Sequence, residues 1–230
     1  MMNSNLLNRE DFQKGLADYF YLIDKNYPEK GALKLVGDRY KLSKEFRTIL
    51  YRGVSSNENS KKRAERLTEK PGDVLVIDGY NVLFTLLNYR LGRFVFICTD
   101  SICRDAGSLF GKIKEEKFFH ECLILLIDFL SKLKNVFFEI YLDSPVSMSK
   151  KHKYEVEELF AKNYFNGKVH LVPSADIALL ENQEGTLATS DSAIIDHSSN
   201  AILDIPRYII EKKYKTELYK LKDKLDLPIT

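Results

Sequence analysis

No apolar run in this chain approaches the ~20 residues that a membrane-spanning helix needs. Met1 to Glu10 shows no cationic stretch followed by an apolar one. No secretory signal is expected, and the expected compartment is the cytoplasm. The three cysteines, Cys98, Cys103 and Cys122, have no disulfide spacing. Cys98 and Cys103 also lack the second pair that a zinc site would need. Reduced thiols are therefore expected. The four histidines (His120, His152, His170 and His197) form no spaced pair and read as structural or exposed. No serine occupies a nucleophile elbow, and no glycine-rich loop is built to cradle phosphates. Internal repeats and low-complexity tracts are absent as well.

What remains is a chain of 230 residues, 44% hydrophobic and 30% charged, with ample material for a packed core. Its net charge of +2 is unevenly spread. Residues 1–69 hold 14 Lys/Arg against 10 Asp/Glu, whereas the rest holds 21 against 23. Between Lys34 and Arg66 the count is 10 against 4. A basic segment joined to an acidic-centred one suits binding a polyanion and then acting on it.

The first third reads as helical. Phe12, Leu16, Tyr19, Phe20 and Ile23 recur at helical spacing over residues 6–25, and Tyr27-Pro28 ends that helix. A second short helix is expected over Gly31–Tyr40. A third is expected over Lys44–Arg52, capped by Ser43 and closed by Gly53. With Lys41, Lys44, Arg47 and Arg52 near it, the group has the outline of a helix-turn-helix. The polar stretch at 54–63 reads as a linker. The expected domains are 1–69, helical, and 70–230, α/β.

From Pro71 the texture alternates. Strands are expected over 74–78, 94–98, 136–142, 168–172 and 186–189. Helices are expected after Asn81, over 117–134, 149–164 and 175–181, and from Asp204-Pro206 to about Leu221. The expected fold class is α/β, with a three-layer, mostly parallel sheet and a small N-terminal all-helical domain. Residues 94–98 fit a parallel strand or an antiparallel edge.

Three of these strands end in an aspartate: Val74–Ile77 runs into Asp78, Val136–Leu142 into Asp143, and Thr186–Ser190 into Asp191. Ligands of open α/β sheets bind beyond the carboxyl ends of the strands. Neighbouring strands would bring these carboxylates together, and like charges so placed call for a cation with oxygen ligands. The expected chemistry is metal-dependent action on a phosphate ester.

Other residues fit around that core. Gly79 permits a tight turn, and Asn81 opens the next helix, where it can orient Asp78 or meet a phosphate. Asp100 and Asp105 flank Arg104. One of the two carboxylates, with Asp105 favoured, is a candidate ligand while Arg104 faces phosphate; the alternative is an ordinary ion pair. Ser147, Ser149 and Lys150 stand at a helix N-terminus suited to phosphate. An integrin-type Asp-x-Ser-x-Ser metal site fails, because Pro145 occupies the first serine position. Asp191 is placed both as ligand and as helix cap, with Ser190 beside it. Asp196, five residues on, is a candidate for a second ion or a solvated helix residue.

The order Asp78-Gly-Tyr-Asn81, Arg104-Asp105, Leu142-Asp-Ser-Pro-Val-Ser147 and Ala188-Thr-Ser-Asp191 resembles a PIN-like (PIN/NYN-type) nuclease domain. Leu22–Pro28, Leu35–Tyr40, Leu42-Ser43, Arg47 and Arg52 resemble a small helical domain of unknown function (the 434 type). That domain precedes a PIN-like half in an uncharacterised archaeal and bacterial family. The resemblance implies metal-dependent cleavage of RNA with Mg²⁺ or Mn²⁺. It implies Asp78, Asp143 and Asp191 as ligands, with Asp105 and Asp196 completing the set. It also calls for an acid on a middle helix, for which Glu121, Asp128 or Asp105 are the candidates.

The expected function is thus a metal-dependent endoribonuclease, with Asp78, Asp143, Asp191 and Asp105 catalytic. Asn81, Arg104, Ser147, Ser149, Lys150 and Ser190 would position the RNA. RNA is the expected partner, and a second copy of the chain is a further candidate. The alternative is a non-catalytic RNA- or protein-binding module on the same scaffold. An aspartyl phosphatase at Asp78 is less favoured, because Tyr80 stands where a second aspartate is usual.

Overall fold

The computed structural model describes residues 7–107, 116–181 and 184–225. In chain order the elements are α1 (Glu10–Asp24), α2 (Glu29–Arg39), α3 (Lys44–Gly53), α4 (Asn57–Ala64), β1 (Val74–Asp78), α5 (Gly79–Arg90), β2 (Val95–Ile97), β3 (Cys103–Asp105) and α6 (Glu116–Leu130). They continue with β4 (Phe137–Asp143), α7 (Ser149–Lys162), β5 (Gly167–Val172), α8 (Ala175–Glu181), β6 (Thr186–Ala188), α9 (Ser192–His197), α10 (Ile205–Tyr214) and β7 (Tyr219–Lys220). Among the described residues no helix is long and apolar enough to cross a membrane.

The chain forms two compact units, and their boundaries differ from a simple cut near residue 70. One unit holds Met1–Glu65 together with Gly92–Gly107 and Glu217–Thr230; the other holds Arg66–Leu91 and Ser108–Thr216.

In the first unit the expected helical spacing holds, with Phe12, Leu16, Tyr19, Phe20 and Ile23 buried along α1. Ser43 Oγ accepts the Phe46 N–H at 3.2 Å and caps α3. The expected linker at 54–63 is instead helix α4, started by Ser56, whose side chain accepts the Asn59 N–H. A polar composition hides this helix, because its one buried residue, Arg63, is charged. β2 pairs antiparallel with β3 and parallel with β7 in a small sheet. Phe94, Phe96 and Leu221 join the helical core. A Cβ on Gly53 would lie 2.3 Å from Leu221 and 2.6 Å from Phe96, so this residue lets α3 close on that sheet.

The second unit is a four-stranded parallel sheet of order β5-β4-β1-β6. The chain steps from β1 outward to β4 and β5, then crosses back to β6 on the other side of β1. Right-handed crossovers therefore place helices on both faces. Val76 and Leu187 pack on one face against Ala175, Leu179 and Ile194 from α8 and α9. The strand order reverses between β1 and β6, and this is where open α/β sheets present a crevice. The last helix ends at Tyr214 rather than near Leu221.

Candidate functional site

β1 runs without a loop into α5, and Asp78 stands at the joint. Its Oδ1 accepts the Asn81 N–H at 3.3 Å, capping α5, and its Oδ2 accepts the Thr189 hydroxyl at 2.9 Å. Gly79 makes the tight junction necessary: a Cβ there would lie 2.6 Å from Leu142 and 2.9 Å from the Tyr141 carbonyl oxygen. Across the switch point, Asn81 Oδ1 accepts both the Ser190 N–H at 2.9 Å and the Ser190 hydroxyl at 2.8 Å. The loop after β6 is thus fastened to the start of α5 by Thr189 and Ser190.

The neighbouring acids are held in the same manner. Asp143 ends β4, and its Oδ1 accepts the Ala175 N–H at 2.8 Å, capping α8. Asp191 follows β6 and accepts the N–H groups of Ala193 and Ile194, capping α9. Both are half-buried. Each of these carboxylates stands at or just past a strand end and accepts from the first turn of a helix, so elements on both sides fix its position.

A further acid joins them. Asp176 opens α8, and its carboxyl is raised above the usual range by desolvation and then by the charges of Asp191 and Asp143. Asp78, only 4% exposed, is pushed up to about 7. Burial is the main cause, with Asp176 and Asp143 adding to it; the Thr189 hydroxyl and the Asn81 N–H oppose it. Asp78, Asp143, Asp176 and Asp191 therefore form one electrostatic group. The sequence reading missed Asp176 and Thr189. Asp176 does follow a strand, but Pro173-Ser-Ala175 intervenes, which obscures the pattern seen at the other acids.

Among the described residues no three His, Cys, Asp or Glu side chains stand close enough to form a metal cage. The acids converge electrostatically without closing a coordination shell. Their donors are all carboxylate oxygens, the set that suits hard divalent cations.

Residues 11–66 match the model of a protein of unknown function (DUF434), and residues 67–208 match that of a domain of unknown function (DUF5616). The chain belongs to the DUF5616 family, with a DUF434 domain ahead of it. Uncharacterized protein MJ0935 of Methanocaldococcus jannaschii is 34% identical over 186 residues, covering 80% of this chain and 88% of that protein. No solved structure matches.

Several expected site residues of this DUF5616 protein have other duties. Arg104 does not face a phosphate. It is 4% exposed, and its guanidinium grips Asp100 with two bonds of 2.8 Å, as a buried cation must be paired. Asp105 belongs to the first unit, whereas the acid group belongs to the second. Asp105 Oδ1 takes the Gly107 N–H at 2.9 Å and pairs with Arg52 at 3.3 Å. Ser149 is buried, and its hydroxyl closes the loop on Ser144 O at 2.9 Å instead of standing ready for phosphate. Asp196 is exposed on α9 and is not among the charges that act on Asp78 or Asp176. Glu121 pairs with Arg90, and Asp128 with Lys132 just past the end of α6. Ser147 and Lys150 remain exposed at the start of α7.

Proposed function

We propose that this protein is a metal-dependent endoribonuclease acting through Asp78, Asp143, Asp176 and Asp191, on a PIN-like α/β scaffold. The observation that carries the reading is the acid group at the strand-order reversal. There a buried carboxyl is pushed up to about 7 and is opposed by further carboxylates. Such repulsion at the mouth of a parallel sheet is relieved by a cation, and perturbed acids mark functional sites. Mg²⁺ or Mn²⁺ would be held by one or two of these aspartates at a time, with waters completing the shell. When bound there, the cation would lower the pKa of water and offset charge on a phosphate.

The chain's own residues prepare the site. Thr189 and the Asn81 N–H hold both oxygens of Asp78 in place. Asn81 Oδ1 accepts from Ser190, which leaves the Asn81 Nδ2 as a donor for a phosphate oxygen. Ser147 and Lys150 offer a hydroxyl and an ammonium at the start of α7. In the first unit Lys34, Lys41 and Lys44 are exposed, which suits salt-sensitive contact with a polyanion. Arg47 is not part of that set, because it donates to Leu42 O at 3.0 Å and pairs with Asp38 at 2.9 Å.

The test is cleavage of labelled single-stranded and structured RNA in Mn²⁺, Mg²⁺ or chelator, with Asp143→Asn alongside. Metal-dependent cutting that the variant loses is the expected result. The open spacing of the acids favours a second reading, a binding module without catalysis. RNA binding that persists in chelator, with no cutting in any metal, would establish that reading instead.

A further inference from the structure

Tyr80 and His152 are both almost completely buried, at 2% and 1% exposed. The Tyr80 hydroxyl lies 3.0 Å from His152 Nδ1. His152 Nε2 lies 3.7 Å from Glu116 Oε1, and neither of these buried atoms has a hydrogen-bond partner. The other oxygen of Glu116 pairs with Lys151 at 3.0 Å. Burial holds the imidazole below its usual pKa, opposed chiefly by Glu116 and Glu155, which favours the neutral ring. A neutral ring can accept from Tyr80 at Nδ1 only if Nε2 carries the proton, and that proton then faces Glu116.

The place of this bond matters more than its chemistry. Tyr80 sits in the first turn of α5, two residues past Asp78. His152 sits in the first turn of α7, just after the loop that leaves Asp143, and its N–H bonds Met148 O at 3.0 Å. Ser149 closes that same loop on Ser144 O. Phe119 of α6 packs on the imidazole with ring centroids 4.4 Å apart, which leaves the ring little room to turn. The bond therefore joins the two strand-to-helix junctions that carry Asp78 and Asp143, rather than the middles of two helices.

We infer that Tyr80 and His152 are positioning residues for the acid group, and that their hydrogen bond sets the spacing between the Asp78 and Asp143 junctions. The inference rests on reading those aspartates as cation ligands. Removing the hydroxyl leaves the packing of Tyr80 on Phe84, with centroids 5.3 Å apart, in place while unfastening the junctions. Residues that orient metal ligands typically change affinity by about 10–100-fold when lost.

The test is calorimetric titration of the full chain with MnCl₂, with melting temperatures measured in parallel. Tyr80→Phe is expected to weaken Mn²⁺ binding about tenfold or more. His152→Leu should match it. His152→Gln should recover much of the affinity, since its amide can accept from Tyr80 and donate toward Glu116. Phe84→Leu serves as the packing control, expected to lower the melting temperature and leave the affinity unchanged. Wild-type affinity in a folded Tyr80→Phe protein would overturn the positioning role and leave the cation reading standing. Absence of Mn²⁺ binding in the wild type would overturn the cation reading, and this inference with it.

Discussion

Each of the two units buries an aspartate beneath a β-strand terminus, and the two are treated in opposite ways. Asp100 is 0% exposed. Burial alone would raise its pKa, but Arg104 and then Arg63 reverse that and hold it below the usual range. Arg63 reaches it at 3.0 Å and Arg104 at 2.8 Å. Asp78 is 4% exposed and is pushed up to about 7, chiefly by burial, with hydroxyl and amide partners but with Asp176 and Asp143 as the charges that act on it. A buried carboxylate enclosed by its own cations has no demand left to meet, whereas one surrounded by further carboxylates does. The first is a structural element, and the second is where the proposed cation would sit.

The largest effect that could break this comparison lies in the first unit. Removing one member of a buried ion pair costs about 3–5 kcal/mol when the other is left unpaired. Asp100 would keep Arg63 at 3.0 Å, so Arg104→Leu is expected to destabilise the first unit by about 3 kcal/mol, the lower end of that range. Urea unfolding followed by circular dichroism reads it. A loss below about 1 kcal/mol, the range of exposed pairs, would mean that Asp100 is not held by Arg104 in the way its two short bonds imply.

Asp78 should behave in the opposite sense. Its folded pKa, about 7, lies above the unfolded carboxylate value, so the folded state binds the extra proton between roughly pH 4 and pH 7. Linkage then makes stability fall as pH rises through that window and level off above it. Asp78→Asn removes the charge and keeps an oxygen for Thr189, but its amide nitrogen cannot accept the Asn81 N–H, so the α5 cap is lost at about 1 kcal/mol at either pH. On going from pH 4 to pH 8 the variant should gain roughly 2–4 kcal/mol on the wild type, an order-of-magnitude figure from a shift of about three units. Melting curves at the two pH values decide it. Mn²⁺ should raise the melting temperature of the wild type at pH 8 and leave that of Asp78→Asn nearly unmoved. A destabilised variant at pH 8 would show that the acid is held by more than its hydrogen bonds.

How much of this was legible beforehand depends on what kind of signal each residue sends. Asp78, Asp143 and Asp191 declared themselves, because a run of β-formers ending in an acid is a local pattern and neighbouring strands do the rest. Asp105 read as a candidate ligand and Arg104 as a phosphate contact, yet they lie in a short antiparallel pair that joins the helical unit. Nothing local marks a β-hairpin inserted between α5 and α6 as belonging with the first 65 residues; that assignment is made by the fit of Phe96 and Leu221 against α3. Helix α4 was missed for a related reason. Its buried face is an arginine whose partner, Asp100, lies 37 residues away, so no apolar period exists to be read. His152 read as a structural histidine, and it is buried as such a residue would be. Its partner Tyr80 was visible only as the middle of Asp-Gly-Tyr-Asn.

The smallest effect, and the sharpest, concerns Asp176. It is the outermost acid of the group and makes no ion pair among the described residues, so its removal costs little packing. Its charge nevertheless acts on Asp78, ahead of that of Asp143. Asp176→Asn should therefore lower the pH at which the wild type loses the Asp78 contribution, shifting the stability-against-pH curve toward acid with little change at pH 4. The same variant should weaken Mn²⁺ stabilisation, because one oxygen donor of the group is gone. Glu121→Gln is the matched control: it removes an acid from the second unit that is tied to Arg90 and does not act on Asp78, and it should move neither readout. If the Asp176 curve overlays the wild type, Asp176 stands outside the group, and burial with Asp143 is left to account for the raised carboxyl of Asp78.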